Sequence, residues 1–170
     1  MFTQLKKILY TTDLSKTSAY VFGPAVHAAE NNDAQIIILH VMERIPSADD
    51  WLLKDSPLGK GLRREYESEK HNAEAIIKKR LGEFCRQALK DKPALLKRVA
   101  IEVIDGSPAA TILKKVDELK PDLLVMGTHG KGFLEDTLLG SVAIKVLSRI
   151  KIPLLIIPIP KETDISFSDM

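Results

Sequence analysis

The chain predicts an α/β protein: a single domain on a five-stranded parallel sheet with helices on both faces. Three observations carry that prediction. Five short apolar runs alternate with longer stretches whose apolar residues recur at helical spacing. The second run, AQIIILHVM from Ala34 to Met42, is apolar almost without a break, as a strand covered on both faces must be. The 170 residues, 45% hydrophobic and 28% charged, are enough for one substantial core.

Leu5 to Tyr10 read as the first strand, closed by Thr11, Thr12 and Asp13. Ser15 is the expected cap of a helix from Lys16 to Asn31, with Ala19, Val21, Phe22, Ala25, Val26 and Ala29 facing inward. Pro24 lies inside that pattern and predicts a kink or a late helix start. Gln35 to Met42 form the second strand. Glu43 to Gly61 hold Pro46, Pro57, Gly59 and Gly61 beside Trp51, Leu52 and Leu53, which predicts a loop with a helical turn near Trp51. A long helix follows from Leu62 to Lys90, with Leu62, Tyr66, Ala73, Ile77, Leu81, Phe84 and Ala88 on one stripe.

Val99 to Ile104 form the third strand, and Pro108 opens a helix reaching Leu119. Leu123 to Met126 form the fourth strand. Gly140 or Ser141 starts the last helix, and Ile152 to Ile159 form the fifth strand, limited by Pro158 and Pro160. Residues 1–160 are expected to form the domain, and 161–170 a polar, disordered tail.

Formal net charge is +2, from 25 basic and 23 acidic residues, so no basic face for nucleic acid is expected. The Lys78, Lys79, Arg80 cluster lies among helix formers with Glu74 and Glu83, which reads as a solvated helix face. No apolar run has the length of a membrane span, and MFTQLKKILYTTD lacks a signal-peptide layout. The lone cysteine, Cys85, reads as a small apolar filler rather than a reactive thiol. A cytoplasmic protein without membrane association is the expectation.

The segment GTHGKGFLEDTLLGSV, from Gly127 to Val142, carries most of the functional signal. A buried strand empties into a glycine-bearing loop that ends at a helix start. Such a junction offers bare backbone amides and the positive end of a helix dipole to an anion such as a phosphate chain. Gly127 is expected to leave the strand at unusual dihedrals, Gly130 to bring backbone near phosphate oxygens, and Ser141 and Val142 to add amides. By spacing alone, turn geometry explains the glycines equally well. Asp13, taken alone, reads first as a cap or turn former, and Val41 as core. Lys131 fits a phosphate counter-charge or an exposed loop position equally. His129 has no carboxylate or nucleophile placed beside it by sequence. His27, His40 and His71 read as structural, and no dedicated metal cage is visible.

The spacing G-x2-G-x9-G-S at Gly127, Gly130, Gly140 and Ser141 resembles the nucleotide-binding signature of the universal stress protein family, in its ATP-binding branch. KKILYTTDLS, ILHVM and GSPAATI strengthen the resemblance, which runs from Lys6 to Pro158. It implies a Rossmann-like fold of the adenine nucleotide alpha hydrolase type, with strand order 3-2-1-4-5 and commonly a homodimer through the last strands. It also implies that Asp13 contacts adenosine, that Val41 reads the adenine edge with its backbone, and that Gly127 sits beside the ribose. Gly130, Gly140, Ser141 and Val142 then hold the phosphates. Thr11, Thr12, Met126, His129 and Lys131 complete the candidate nucleotide site, with Mg or Mn carried on the phosphates.

The function expected on this basis is that of a regulatory, stress-response, nucleotide-dependent dimeric switch rather than an enzyme. The loop is not a P-loop, and no evident general base faces a γ-phosphate. A slow ATPase or nucleotidyl transferase is the first alternative. A nucleotide-free interaction module using Trp51 is the second. The apolar LLIIP of the last strand independently predicts pairing with a second copy.

Overall fold

The computed structural model describes residues 4–43, 57–129 and 139–159, with side chains of 57–66 excepted. The expected turn at Trp51, the loop glycines Gly130 and Gly132 with Lys131, the stripe members Leu62 and Tyr66, and the polar tail lie outside those residues. The elements are β1 (Lys7–Thr11), α1 (Ser18–Asn32), β2 (Gln35–Met42), α2 (Pro57–Ala88), α3 (Pro93–Leu96), β3 (Val99–Asp105), α4 (Pro108–Leu119), β4 (Leu123–Gly127), α5 (Ser141–Leu147) and β5 (Leu154–Ile157). The sheet is parallel in every pairing, in the order β3-β2-β1-β4-β5.

The two-residue period of a strand sends alternate side chains to two separate cores. Ile8, Tyr10, Ile36, Ile38, Val103 and Val125 pack under α1 and α2, against Phe22, Ala25, Leu81, Cys85 and Leu89. Leu9, Ile37, Leu39, Leu124 and Met126 pack on the other face, against Ile112 and Val116 of α4 and Ala143 and Val146 of α5. Both faces are therefore dry, which is why β2 needs an unbroken apolar run.

Some boundaries differ from the sequence-based expectation. Helix α1 begins at Ser18, not Lys16, and its cap residue is Thr17. The Ser15 amide is instead bound by the Asp13 carboxylate, so Ser15 belongs to the preceding turn. The helix runs through Pro24. On α2, Ala73 and Ala88 are exposed, whereas Cys85, and Leu89 one residue past the helix end, are buried. The stripe therefore passes from Leu81 through Cys85 to Leu89, a spacing of four that keeps one face inward. The short α3 was not anticipated. Strand β5 is shorter than expected because prolines at 153 and 158 stand on either side of it.

The β1 entry is held by side chains, Asn32 Oδ1 accepting the Leu5 amide at 3.3 Å among them. Asp122, just before β4, accepts the backbone N–H groups of Lys6 and Lys7 through Oδ2 at 2.8 and 2.9 Å. Those donors hold its carboxyl below the usual carboxylate range.

Candidate functional site

Strand order reverses at β1, because the chain moves outward to β2 and β3 and later returns to place β4 on the other side. Segments leaving β1 and β4 at their carboxyl ends therefore diverge and leave a crevice. Here that crevice is a cleft of about 560 Å³, ample for a nucleotide-sized molecule.

The β1 wall is a compact hydroxyl-rich turn. Thr12 Oγ1 accepts the Leu14 N–H at 3.1 Å and donates to Ser18 Oγ at 2.8 Å. Leu14 takes a left-handed conformation, φ 62°, uncommon for a bulky residue and held by that bond and by packing against the core. Asp13 Oδ1 accepts the Ser15 amide at 3.1 Å and a longer contact from the Ser18 hydroxyl at 3.4 Å. Its other oxygen, Oδ2, is buried and has no hydrogen-bond partner among the described residues. A buried carboxylate oxygen without a donor is costly, so this atom is a ready acceptor for a donor on a guest.

His40 comes in from β2. Its Nδ1 lies 2.8 Å from the Thr12 carbonyl, which only accepts, so Nδ1 carries the proton. Tyr10 donates its hydroxyl to the Ser18 carbonyl at 2.8 Å, and burial raises its pKa further above neutrality. It stays a neutral donor on the cleft wall.

The β4 wall is backbone. Gly127 ends the strand in ladder with Ile157, and it does not adopt a positive φ. The expectation of unusual dihedrals there is therefore corrected: the glycine is needed for space. A Cβ on Gly127 would lie 2.9 Å from Ile159 Cδ1 and 3.2 Å from Val21 Cγ2. Gly140 likewise has an ordinary extended conformation, but its amide bonds the Thr128 carbonyl at 2.7 Å, and a Cβ would sit 3.3 Å from that oxygen. The two ends of the glycine loop are thus clamped together. Ser141 and Val142 follow in the first turn of α5, where helix geometry supplies no acceptor for their amides.

Ten of the twelve residues predicted from sequence line one cleft: Thr11, Thr12, Asp13, Val41, Met126, Gly127, His129, Gly140, Ser141 and Val142. Gly130 and Lys131 lie outside the described residues. Among the further lining residues, which sequence reasoning left aside or treated as structural, are His40, Thr128 and Ile159. His40 had a signal in its place near the end of a central strand. Thr128 stands between Gly127 and His129 and had adjacency alone. Ile159 had none, because its approach depends on β5 lying beside β4. His27, by contrast, is exposed and bonds Asn31 on its own helix at 2.9 Å, as a structural histidine does. Among the described residues no group of three or more His, Cys, Asp or Glu is placed to hold a metal, and no helix is long and apolar enough to cross a membrane.

Comparison with known proteins matches this geometry. The model of the Universal stress protein family covers residues 4–158. Universal stress protein MJ0531 of Methanocaldococcus jannaschii is 31% identical over 161 residues, spanning 92% of this chain and 84% of that protein. The solved structure of hypothetical protein MJ0577 superimposes with a TM-score of 0.66 at 24% identity, covering 94% of this chain and 100% of the other. A universal stress protein in complex with cAMP gives a TM-score of 0.57 at 23% identity, covering 93% and 100%. These two structural likenesses speak for the fold; the family match reaches from the β1 entry to the β5 exit and takes in both walls of the cleft. The chain belongs to the universal stress protein family.

Proposed function

We propose that this protein binds ATP in the β1–β4 crevice and acts as a regulatory, dimeric switch rather than as an enzyme. The observation that carries the reading is the buried, unpartnered Oδ2 of Asp13, a residue that lines one cleft together with Ser141 and Val142 at the start of α5. One end of the cleft calls for a hydrogen-bond donor and the other for an anion. A nucleoside polyphosphate has both.

Asp13 accepts from the adenosine moiety, the Val41 backbone meets the adenine edge, and Gly127 lies beside the ribose. The Ser141 and Val142 amides hold phosphates and Gly140, whose own amide is bound to the Thr128 carbonyl, gives them close backbone approach, with Gly130 and Lys131 contributing from the loop between. Hydrogen bonds to a charged partner contribute about 1.5–3 kcal/mol each, so three or four suffice for micromolar binding after the costs of association. Mg or Mn enters on the phosphates rather than through a protein cage. The solved relative with cAMP supports an adenine nucleotide as the guest. The exposed edge strand β5, with Leu155 facing out, is the surface expected to pair with a second copy.

Isothermal titration with ATP, with adenosine and with inorganic triphosphate tests this reading. Micromolar binding of ATP, weakened about tenfold in Asp13→Ala, is expected. Absence of ATP binding to the folded wild-type protein at millimolar concentration overturns it.

A further inference from the structure

Among the described residues Thr128 is a buried polar residue, only 7% exposed, between the last residue of β4 and the loop histidine. Every polar atom it has is engaged. Its amide donates to the Ile157 carbonyl at 3.0 Å, and its carbonyl accepts the Gly140 amide at 2.7 Å. Its hydroxyl oxygen accepts the Ile159 amide at 3.2 Å and lies 2.9 Å from His129 Nδ1.

The direction of that last bond follows from the inventory of protons. An amide N–H only donates, so the Ile159 bond uses a lone pair of Oγ1. The hydroxyl proton then needs an acceptor in a dry place, and Nδ1 is the one within reach among the described residues. Were Nδ1 protonated, two N–H groups would converge on one oxygen and the hydroxyl proton would be stranded. We infer that Thr128 is a positioning residue: its hydroxyl donates to His129 Nδ1 and holds the ring in the Nε2–H tautomer, making His129 a donor, not an acceptor, toward an anion in the cleft.

The inference deepens the nucleotide reading and rests on it for the identity of the anion. The bond itself does not depend on that reading. The contrast with His40 is chemical: its Nδ1 faces a carbonyl and must be protonated, whereas the Nδ1 of His129 faces a hydroxyl and is not. The two cleft histidines therefore carry opposite tautomers. His40 is left with Nε2 as an acceptor and His129 with Nε2–H as a donor, and both residues line the cleft.

Long-range proton–nitrogen NMR of the histidine rings at pH 7.5, with His129 assigned by its loss in His129→Asn, reads the tautomer directly. The Nε2–H form is expected in the wild-type protein. Thr128→Val keeps the shape but removes the hydroxyl, and is expected to move His129 toward a mixed tautomer; Thr128→Ser is expected to restore the wild-type signal. An Nδ1–H tautomer in the wild type, or a Thr128→Val protein with an unchanged ring signal, overturns the inference. If Thr128→Val does not fold, the wild-type and Thr128→Ser signals decide. In the ligand arm, Thr128→Val is expected to weaken ATP about fivefold and to leave adenosine binding unchanged. Equal losses for both overturn the assignment of His129 to the anion. A wild-type protein with the Nε2–H signal that binds neither ATP nor adenosine supports the Thr128 bond and overturns the nucleotide reading instead.

Discussion

Single side chains fix both the site and much of its scaffold. Gly106 has φ +156°, and a Cβ there would lie 2.6 Å from Thr111 Oγ1. Gly106→Ala is expected to destabilise the fold by about 1–3 kcal/mol in chemical denaturation, through strain at the turn that enters α4. Asp122 gives a pH-dependent counterpart. Its native pKa is lowered by the Lys6 and Lys7 amides, so its contribution is fully present above the unfolded value of about 3.9 and is lost as pH falls through the native one. Asp122→Asn is therefore expected to cost about 1 kcal/mol at pH 7, after allowance for solvent screening, with the gap to wild type narrowing in urea melts as pH falls below about 3.9. Burial pushes the Cys85 thiol up to about 11, so at pH 7.5 it remains a protonated filler. Iodoacetamide is expected to label it only after unfolding, which mass spectrometry can follow. At this scale Asp13 was visible in the sequence as a residue, but its unpartnered oxygen was not, because that depends on which amides the turn spends on Oδ1.

Elements were legible in kind and less so in their ends. The second strand matched from Gln35 to Met42 and the fourth helix from Pro108 to Leu119, because an unbroken apolar run and a proline-opened helix leave few alternatives. The start of α1 moved because Asp13, rather than Ser15, supplies the turn's side-chain acceptor. Of the kink or late start that Pro24 predicts, the late start is excluded: packing of Val21, Phe22, Ala25 and Ala29 carries a helix that begins at Ser18 through it. The helix lacks the backbone bond that a Pro24 amide would have made to Tyr20. Pro24→Ala is accordingly expected to stabilise the protein by about 1 kcal/mol, or roughly 2–4 °C in Tm. The inner stripe of α2 keeps Ile77, Leu81 and Phe84 as expected but not Ala73 and Ala88, because a 3.6-residue period sampled over many turns admits more than one choice at its edges. Only the neighbouring sheet selects Cys85 and Leu89 over Ala88.

For the molecule as a whole, function follows from topology. Strand order 3-2-1-4-5 opens a crevice between the exits of β1 and β4, and the nucleotide binding proposed there is expected to stabilise the whole domain by mass action. ATP at one hundred times its dissociation constant is expected to add about 2.7 kcal/mol, a rise of roughly 5–10 °C in Tm by scanning calorimetry. No rise with ATP at that saturation would contradict binding to the native state. The sequence by itself determined the alternation of strands and helices, the two dry faces of the sheet and the glycine spacing. Each of these is written in local periodicity and turn chemistry. Only the tertiary structure decided that Thr12 meets His40, that Thr128 meets Ile159, and that Gly127 is a glycine for room rather than for backbone freedom. Those pairs lie 28 and 31 residues apart, and nothing local brings them together. Their meeting is set by which strands lie side by side, a choice made by burying both faces of the sheet at once.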